Sequence, residues 1–204
     1  MSAAPLPHDP LAQADPHRQA SLAMARCFSS SVLRPGWPAG AGGSDRALGR
    51  MNIRPAAPTD ASRIAALVRS FEAVLIEDPA AAAPFWESMS QRAHVENIAS
   101  NRFAYYVAES TNTLVGFIAL RDDTHLFTLF VDAAGQGRGV GRMLWHHLIG
   151  RLPPKAEKRG VTVNASLNAV AFYRSLGFRS AGEIVRQHGI AFLPMRWERS
   201  PDAA

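Results

Sequence analysis

A glycine-rich segment between an apolar strand and a helix constrains the fold of this chain more than any other feature. Residues 131–142 read Val-Asp-Ala-Ala-Gly-Gln-Gly-Arg-Gly-Val-Gly-Arg, after the β-rich run 124–131 and at the start of a helical pattern over 140–149. The hydrophobic period changes at this point from that of a strand to that of a helix. Such a loop gathers unpaired N–H groups at a helix start, an arrangement that binds phosphate. The segment therefore predicts a phosphate-binding strand–loop–helix unit.

Two common phosphate-binding patterns do not fit this loop. The dinucleotide pattern G-x-G-x-x-G, counted from Gly137, requires glycine at the position of Arg142. The P-loop pattern also fails, because Gly-Lys-Ser/Thr occurs nowhere in the chain. A tight turn without a ligand is the alternative, but alternating glycines at 137, 139 and 141 with two arginines exceed what a turn requires. We therefore expect a pyrophosphate group at this loop.

The rest of the chain predicts a mixed α+β fold rather than a regular alternation of strands and helices. A helix capped by Thr59 or Asp60 follows the first strand, and a polar turn at Ser110–Thr113 and another at His188–Gly189 close two hairpins. The predicted elements are a strand 52–55, helices 60–75 and 85–99, strands 103–109, 114–120 and 124–131, a helix 140–149, a strand 161–165, a helix 168–176 and a hairpin 178–197.

The first 50 residues differ from the others. They contain six of the 14 prolines and show no sustained period, so we predict either a disordered tail or a start of the natural chain at Met51. We predict one domain over residues 51–199 and a short tail over 200–204.

Composition excludes several classes of function. No apolar run approaches the roughly 20 residues of a membrane helix, and the single cysteine, Cys27, allows neither an internal disulfide nor a cysteine-based metal site. The formal net charge is +5, but no run of five basic residues occurs. We therefore expect a cytoplasmic protein without a metal and without nucleic acid or a membrane as partner.

Two motifs together resemble the GNAT N-acetyltransferase family. Gln136–Gly141 resembles the Gln/Arg-x-x-Gly-x-Gly/Ala loop that holds the pyrophosphate of coenzyme A, and residues 162–178 resemble the second signature, a strand and a helix ending in Phe-Tyr-x-x-x-Gly-Phe. Residues 189–195 are similar to the last strand of a bacterial subgroup. The resemblance covers nearly all of residues 51–198. It implies the GNAT fold, a mostly antiparallel central sheet with a splayed parallel strand pair, flanked by helices.

The resemblance implies acetyl-coenzyme A as co-substrate. Its pantetheine arm would lie between strands 124–131 and 161–165, which a bulge splays apart, beside the backbone of Phe130 and Val131. A backbone N–H there would stabilise the oxyanion. Side chains at the end of the second strand would bind pantetheine or adenosine, or would cap the next helix. The loop residues implied are Gln136, Gly137, Arg138, Gly139, Val140, Gly141 and Arg142, and the polar residues are Asn164, Ser166 and Asn168.

The resemblance also implies catalytic residues. Tyr173 matches the tyrosine that protonates the departing thiolate in many members, although a packing role alone is the alternative. His125 lies where some members carry a catalytic carboxylate, and an imidazole is a suitable base. Asp123, Glu109 and a chain of waters are the other candidates for the base.

We therefore expect direct transfer of an acetyl group to a primary amine, with a non-catalytic coenzyme A-binding module on the same fold as the alternative. The resemblance places acceptor specificity in residues 57–100 and 179–197. Glu72, Glu77 and Asp78 would form an acidic rim suited to a cationic amine. The acceptor is left open among an amino acid, a polyamine, an aminoglycoside-like compound and a protein N-terminus, and a homodimer is possible in such a family.

Overall fold

The computed structural model describes residues 22–23 and 51–199. One mixed sheet runs through this part of the chain, with helices on both of its faces. Its strands are β1 Leu22–Ala23, β2 Met51–Pro55, β3 Phe103–Ser110, β4 Thr113–Arg121, β5 His125–Val131, β6 Val161–Ser166, β7 Arg179–Ser180, β8 Val185–Gln187 and β9 Ile190–Trp197. The helices are α1 Ala61–Arg69, α2 Glu72–Leu75, α3 Ala83–Ser88, α4 Gln91–Ala99, α5 Val140–Ile149, α6 Pro154–Arg159 and α7 Val170–Ser175.

The strand order confirms the predicted sheet. It is β2-β3-β4-β5-β1-β6-β9-β7, and β8 pairs with β9. Strands β2 to β5 form an antiparallel meander, and β6 is antiparallel to β9. Between these two halves β5 and β6 run parallel. The fold is thus a mostly antiparallel sheet in whose centre β5, β1 and β6 run parallel to one another.

Three two-residue turns set the register of the antiparallel hairpins. The β3–β4 turn has Thr111 and Asn112 at φ 47° and 63°, and the β8–β9 turn has His188 and Gly189 at 52° and 73°. The β4–β5 turn is built in the same way from Asp122 and Asp123. Two consecutive residues with positive φ match the twist of the strands that they join. Both turns predicted from the sequence are therefore confirmed.

Each face of the sheet has its own hydrophobic core. One core, under α5 to α7, contains Trp145, Tyr173 and Leu129. The other, under α1 to α4 and the β8–β9 hairpin, contains Phe71, Phe117 and other aromatic residues. We call these the α5–α7 face and the α1–α4 face.

Two helices predicted as continuous are each broken in two. The prediction 60–75 is wrong at Ser70, whose Oγ donates to Leu67 O at 2.7 Å and so competes with the helical backbone bonds. The prediction 85–99 is wrong at Ser90, whose Oγ accepts from Ala93 N at 3.1 Å and caps a new helix. Serine is thus the local reason for both breaks.

Two further boundaries differ from the predictions. Pro153–Pro154 was expected to end the preceding unit, but Pro154 starts α6, where its missing N–H costs nothing. The helix predicted over 168–176 begins as a 3-10 turn, Leu167–Ala169, and becomes α-helical at Val170.

The predictions for both ends of the chain lie mostly outside the described residues. Within the first 50 residues only Leu22–Ala23 is described, and it forms β1, so the prediction for residues 1–50 stays a prediction. The predicted tail over 200–204 lies outside the described part entirely. No helix among the described residues is long and apolar enough to span a membrane.

Candidate active site

The central feature of the sheet is a split between β5 and β6. Their direct pairing covers only His125 with Thr162 and Leu126 with Val163. Beyond this point the two strands diverge. A bulge accompanies the split: Leu126 and Thr128 face consecutive residues of β4, so Phe127 is the extra residue of β5 in this register. The bulge lies between β4 and β5, not within the parallel pair where the sequence placed it.

Strand β1 lies inside this split. Leu22 and Ala23 pair in parallel with Thr128 and Leu129 of β5, and Ala23 also pairs with Ala165 of β6. Both edges of the split therefore accept an extended chain that carries amide groups. Pantetheine is such a chain, and the edges that pair with β1 here have the backbone chemistry to hold it.

The glycine loop forms an open cradle at the end of β5. Gly137 and Gly139 have φ of +72° and +81°, and a Cβ placed on either would meet no atom within 4 Å. The first helical bond of α5 runs from Met143 N to Gly139 O at 2.9 Å. The N–H groups of Val140, Gly141 and Arg142 thus have no acceptor in the preceding turn of helix. These donors and the space beside the two glycines fit a pyrophosphate group.

The loop is held in shape by its own polar side chains. Asp132 Oδ1 accepts from Gly135 N at 2.7 Å, which closes the turn after β5. Gln136 Nε2 donates to Val131 O at 2.9 Å, so this side chain fastens the loop to the strand end. Gln136 therefore acts on the loop's conformation, and a ligand that pairs with Val131 O shares this acceptor with it.

The other residues of the loop differ in what they contact. A Cβ at Gly141 would lie 3.0 Å from the ring of Phe172, so this glycine allows α5 to pack against α7. The Arg142 guanidinium reaches Ser175 Oγ at 3.2 Å, also on α7. Arg138 is exposed in the loop. Of the two arginines expected to add charge near the phosphates, Arg142 instead contacts α7 in this structure.

The polar residues at the end of β6 contact each other. Ser166 Oγ donates to Asn168 Oδ1 at 2.8 Å, and neither side chain caps the backbone of the following 3-10 turn. The capping role that the sequence left open is thus wrong for Ser166. Asn164 is half-buried two residues before it, on the same side of the strand. Their contacts with a ligand stay a prediction.

Tyr173 lies in the core of the α5–α7 face. It is completely buried, and its hydroxyl has no hydrogen-bond partner among the described residues. Burial raises the pKa of Tyr173 well above its ordinary value. The hydroxyl therefore stays protonated and can donate to a group that enters the core beside it.

His125 begins β5, at the closed end of the split. Its Nδ1 lies 2.8 Å from Thr162 Oγ1, and that hydroxyl donates to Thr124 O at 3.3 Å. The hydroxyl proton is thus already donated to Thr124 O. In the bond between His125 and Thr162, Nδ1–H is therefore the donor, and Nε2 keeps its lone pair. Nε2 is buried and has no hydrogen-bond partner in the part of the chain that the structure describes, and burial lowers the pKa of His125 to about 4. The imidazole is neutral at pH 7 and can accept a proton.

The structure separates the two carboxylates offered as alternative bases from the split. Glu109 lies on β3, where Arg54 Nη2 and Arg63 Nη2 reach its carboxylate at 2.8 and 3.0 Å. The side-chain hydrogen bond from Arg54, followed by that from Arg63, holds the pKa of Glu109 below its ordinary value. Asp123 is exposed in the β4–β5 turn. Neither carboxylate lies at the split between β5 and β6, as His125 does.

The expected acidic rim is partnered within the protein. Glu77 Oε2 accepts from Arg186 Nε at 3.2 Å, and Asp78 Oδ1 accepts from Ala80 N at 3.0 Å. Glu72 lies 3.6 Å from Arg69. Each carboxylate of the expected rim is thus engaged by a neighbouring group, and an acidic rim for a cationic amine stays a hypothesis.

These contacts instead join the two segments expected to select the acceptor. Gly189 O accepts from the backbone N–H groups of Glu77 and Asp78 at 2.8 and 3.1 Å. A Cβ on Gly189 would lie 2.3 Å from Asp78 O, so only glycine fits this approach. The residues after α2 and the β8–β9 hairpin thus form one continuous wall.

Comparison with known families agrees with this geometry. A family model described as an acetyltransferase (GNAT) domain matches residues 72–199, more than half of the chain. The chain belongs to the GNAT acetyltransferase family. In this GNAT protein the roles of the glycine loop and of Tyr173 in binding and catalysis stay predictions.

Curated relatives include three bacterial enzymes. The peptidyl-lysine N-acetyltransferase YjaB of Salmonella typhimurium is 35% identical over 71 residues, covering 33% of this chain and 44% of that protein. The ribosomal protein bS18-alanine N-acetyltransferase of the same organism is 47% identical over 66 residues, covering 29% of this chain and 42% of the relative. The enzyme of that name from Escherichia coli K12 is 36% identical over 110 residues, covering 46% of this chain and 72% of the relative. The chain thus aligns with less than half the length of the first two relatives.

Solved structures share the fold. A GCN5-related N-acetyltransferase from Rhodopseudomonas palustris has a TM-score of 0.59 at 24% identity, covering 74% of this chain and 98% of that one. The PaiA N-acetyltransferase from Thermoplasma acidophilum, in complex with coenzyme A, has a TM-score of 0.58 at 17% identity, covering 74% and 99%. At these identities the likeness concerns the fold.

Proposed function

We propose that this GNAT protein transfers an acetyl group from acetyl-coenzyme A to a primary amine. The observation that carries the proposal is the open cradle at Gly137 and Gly139, whose positive φ angles and empty Cβ positions leave room for a pyrophosphate beside the N-terminus of α5. The backbone near Phe130 and Val131 is the edge on which pantetheine would lie. Bound there, the co-substrate supplies an acetyl group activated as a thioester.

The side chains at the split supply the proton transfers. His125 Nε2 takes a proton from the amine, because the lone pair at this nitrogen is free while Nδ1–H is held by Thr162. A pKa of about 4 keeps this imidazole unprotonated at pH 7, so its lone pair is available to the amine proton. Tyr173 is the proton donor to the departing thiolate, since its raised pKa keeps the hydroxyl protonated until the thiolate forms.

The relatives suggest the kind of acceptor. Their names specify acetylation of a peptidyl lysine and of the alanine of ribosomal protein bS18. We therefore propose an α-amine or ε-amine of a peptide as the acceptor of this chain. The partnered carboxylates Glu77 and Asp78 support this choice over a polyamine, since they offer no unpaired acidic cluster for a polycation.

Thiol release from acetyl-coenzyme A tests the proposal. The acceptors are an alanine tripeptide, which offers an α-amine, and Nα-acetyl-lysine amide, which offers an ε-amine. We expect one of them to raise thiol release above the rate without amine, and Tyr173→Phe to lower kcat by roughly 10²-fold, as general acids contribute. If wild-type protein binds acetyl-coenzyme A but neither amine raises the rate, the result supports the alternative of a non-catalytic coenzyme A-binding module.

A further inference from the structure

One buried hydroxyl on β5 has no partner within the described part of the chain. Thr128 is 0% exposed, and its Oγ1 makes no hydrogen bond. A buried hydroxyl left unsatisfied is unfavourable, whereas valine would fill the same space without a polar atom. The stability of the free protein therefore gives no reason for threonine at this position.

Thr128 lies where the sheet splits. It follows the bulged residue Phe127 and lies two positions beyond Leu126, the last residue of β5 that pairs directly with β6. Its partner on β4 is Ala119, which belongs to the core of the α1–α4 face. Side chains of directly opposed residues project from the same face of a sheet. The Thr128 hydroxyl is therefore on the α1–α4 face.

His125 lies on that same face. Its partner on β4 is Arg121, and the Arg121 guanidinium lies 5.7 Å from the ring centre of Phe127, a member of the α1–α4 core. Tyr173 belongs to the core of the opposite face. The proposed base and Thr128 thus lie on one side of the split, and the proposed proton donor lies on the other.

We propose that Thr128 Oγ1 binds the acceptor amine, an inference that rests on the proposed acetyl transfer. A neutral primary amine has two N–H groups and one lone pair, and the lone pair must be aimed at the thioester carbon. Oγ1 accepts one N–H, and this bond fixes the rotation of the amine. Satisfying a buried oxygen on binding also favours the bound state.

The transfer balances with these groups. The amine nitrogen forms a bond to the carbonyl carbon, and the carbon–sulfur bond breaks with its electron pair going to sulfur. The second amine proton goes to His125 Nε2, and Tyr173 donates a proton to the thiolate. The proton then returns from His125 to Tyr173 through solvent. Thr128 keeps its own proton throughout, so its contribution is to bind and orient the amine.

The experiment compares Thr128→Val and Thr128→Ser in the full chain, with Thr113→Val as the matched change at an exposed threonine on β4. Thiol release is measured with whichever of the alanine tripeptide and Nα-acetyl-lysine amide the wild type acetylates. We expect Thr128→Val to raise the KM of the amine about tenfold, the loss of one hydrogen bond, with the KM of acetyl-coenzyme A unchanged. Thr128→Ser restores the amine KM, and Thr113→Val changes neither KM.

A melting experiment separates binding from a structural role. Thr128→Val is expected to raise the melting temperature by a few degrees, because it removes an unsatisfied buried hydroxyl. A lowered melting temperature would show that the hydroxyl serves the fold and would overturn the proposal. An unchanged amine KM in active Thr128→Val also overturns it and leaves acetyl transfer standing. No thiol release by the wild type with either amine overturns acetyl transfer and this inference together.

Discussion

His125 Nδ1 and Thr162 Oγ1 lie 2.8 Å apart across the first pair of parallel residues in the sheet. The contact joins β5 and β6 at the closed end of their split. Because Thr162 Oγ1 also donates to Thr124 O at 3.3 Å, it fixes the histidine tautomer in which Nε2 is unprotonated. A residue on the neighbouring strand thus prepares the proposed base.

Removing this hydroxyl should affect catalysis without affecting coenzyme A. Thr162→Val leaves Nδ1–H without its acceptor, so we expect kcat for the amine to fall about tenfold while the KM of acetyl-coenzyme A stays the same. Thr162→Ser should restore kcat. Steady-state thiol release measures both parameters. Unchanged kcat in Thr162→Val, beside a strong loss in His125→Ala, would refute the orienting role.

We expect glycine to be required at position 189, where the β8–β9 hairpin contacts the residues after α2. Gly189→Ala would place a Cβ 2.3 Å from Asp78 O and 2.9 Å from Ala82 N, at a φ of +73°. We expect a loss of about 1–3 kcal/mol of unfolding free energy, measured in urea. Gly182→Ala is the control, since its Cβ would approach nothing nearer than 3.6 Å. Equal stability of the two variants would contradict the requirement for glycine at position 189.

Acid should destabilise the protein through buried histidines. His94 Nδ1 lies 3.2 Å from Tyr105 OH in the α1–α4 core, and burial lowers the pKa of His94 to about 4. The unfolded state, with a histidine pKa near 6.5, therefore binds more protons between pH 6.5 and 4. Unfolding free energy should fall as the pH falls through this window, by roughly 2–3 kcal/mol for each such histidine.

A variant series assigns this loss to His94. His94→Leu should reduce the slope of unfolding free energy against pH between 6.5 and 4, whereas the exposed His146→Gln should not. His125, whose pKa is also about 4, contributes in the same window and accounts for part of the remaining slope. A slope that His94→Leu leaves unchanged would show that this histidine is not the source.

Gly141 should matter for stability rather than for ligand binding. Gly141→Ala places a Cβ 3.0 Å from the Phe172 ring at the contact of α5 with α7, so we expect about 1–2 kcal/mol of destabilisation. Urea unfolding measures it. Coenzyme A affinity of the folded variant should change much less than in a variant at Gly139. The reverse order of effects would show that a side chain at position 141 limits ligand binding more than helix packing.

The sequence predicted those features that depend on neighbouring residues. The glycine loop, the two-residue turns at Asn112 and Gly189, and the strand periods are all local patterns, and the structure bears them out. The breaks at Ser70 and Ser90 were missed because serine side chains compete with a helix only in a particular backbone geometry. The partners of His125, Glu77 and Asp78 come from distant segments, which no local pattern encodes.

Thr128 and Gln136 show the same limit within the candidate site. Gln136 was expected at the ligand because of its motif, yet its amide holds Val131 O. Thr128 carries no motif, and its importance follows only from burial without a partner. A threonine in an otherwise apolar strand, Leu-Phe-Thr-Leu-Phe, was the one signal that could have found it.

Titration calorimetry with acetyl-coenzyme A measures directly whether the glycine loop binds coenzyme A. Gly139 caps α5 at φ 81° beside empty space, so Gly139→Asp strains the backbone locally but meets no neighbouring atom and adds a negative charge to the cradle. We expect micromolar binding by the wild type and its loss in a folded Gly139→Asp protein. Equal binding by both, or none by folded wild type, would contradict a coenzyme A cradle at this loop.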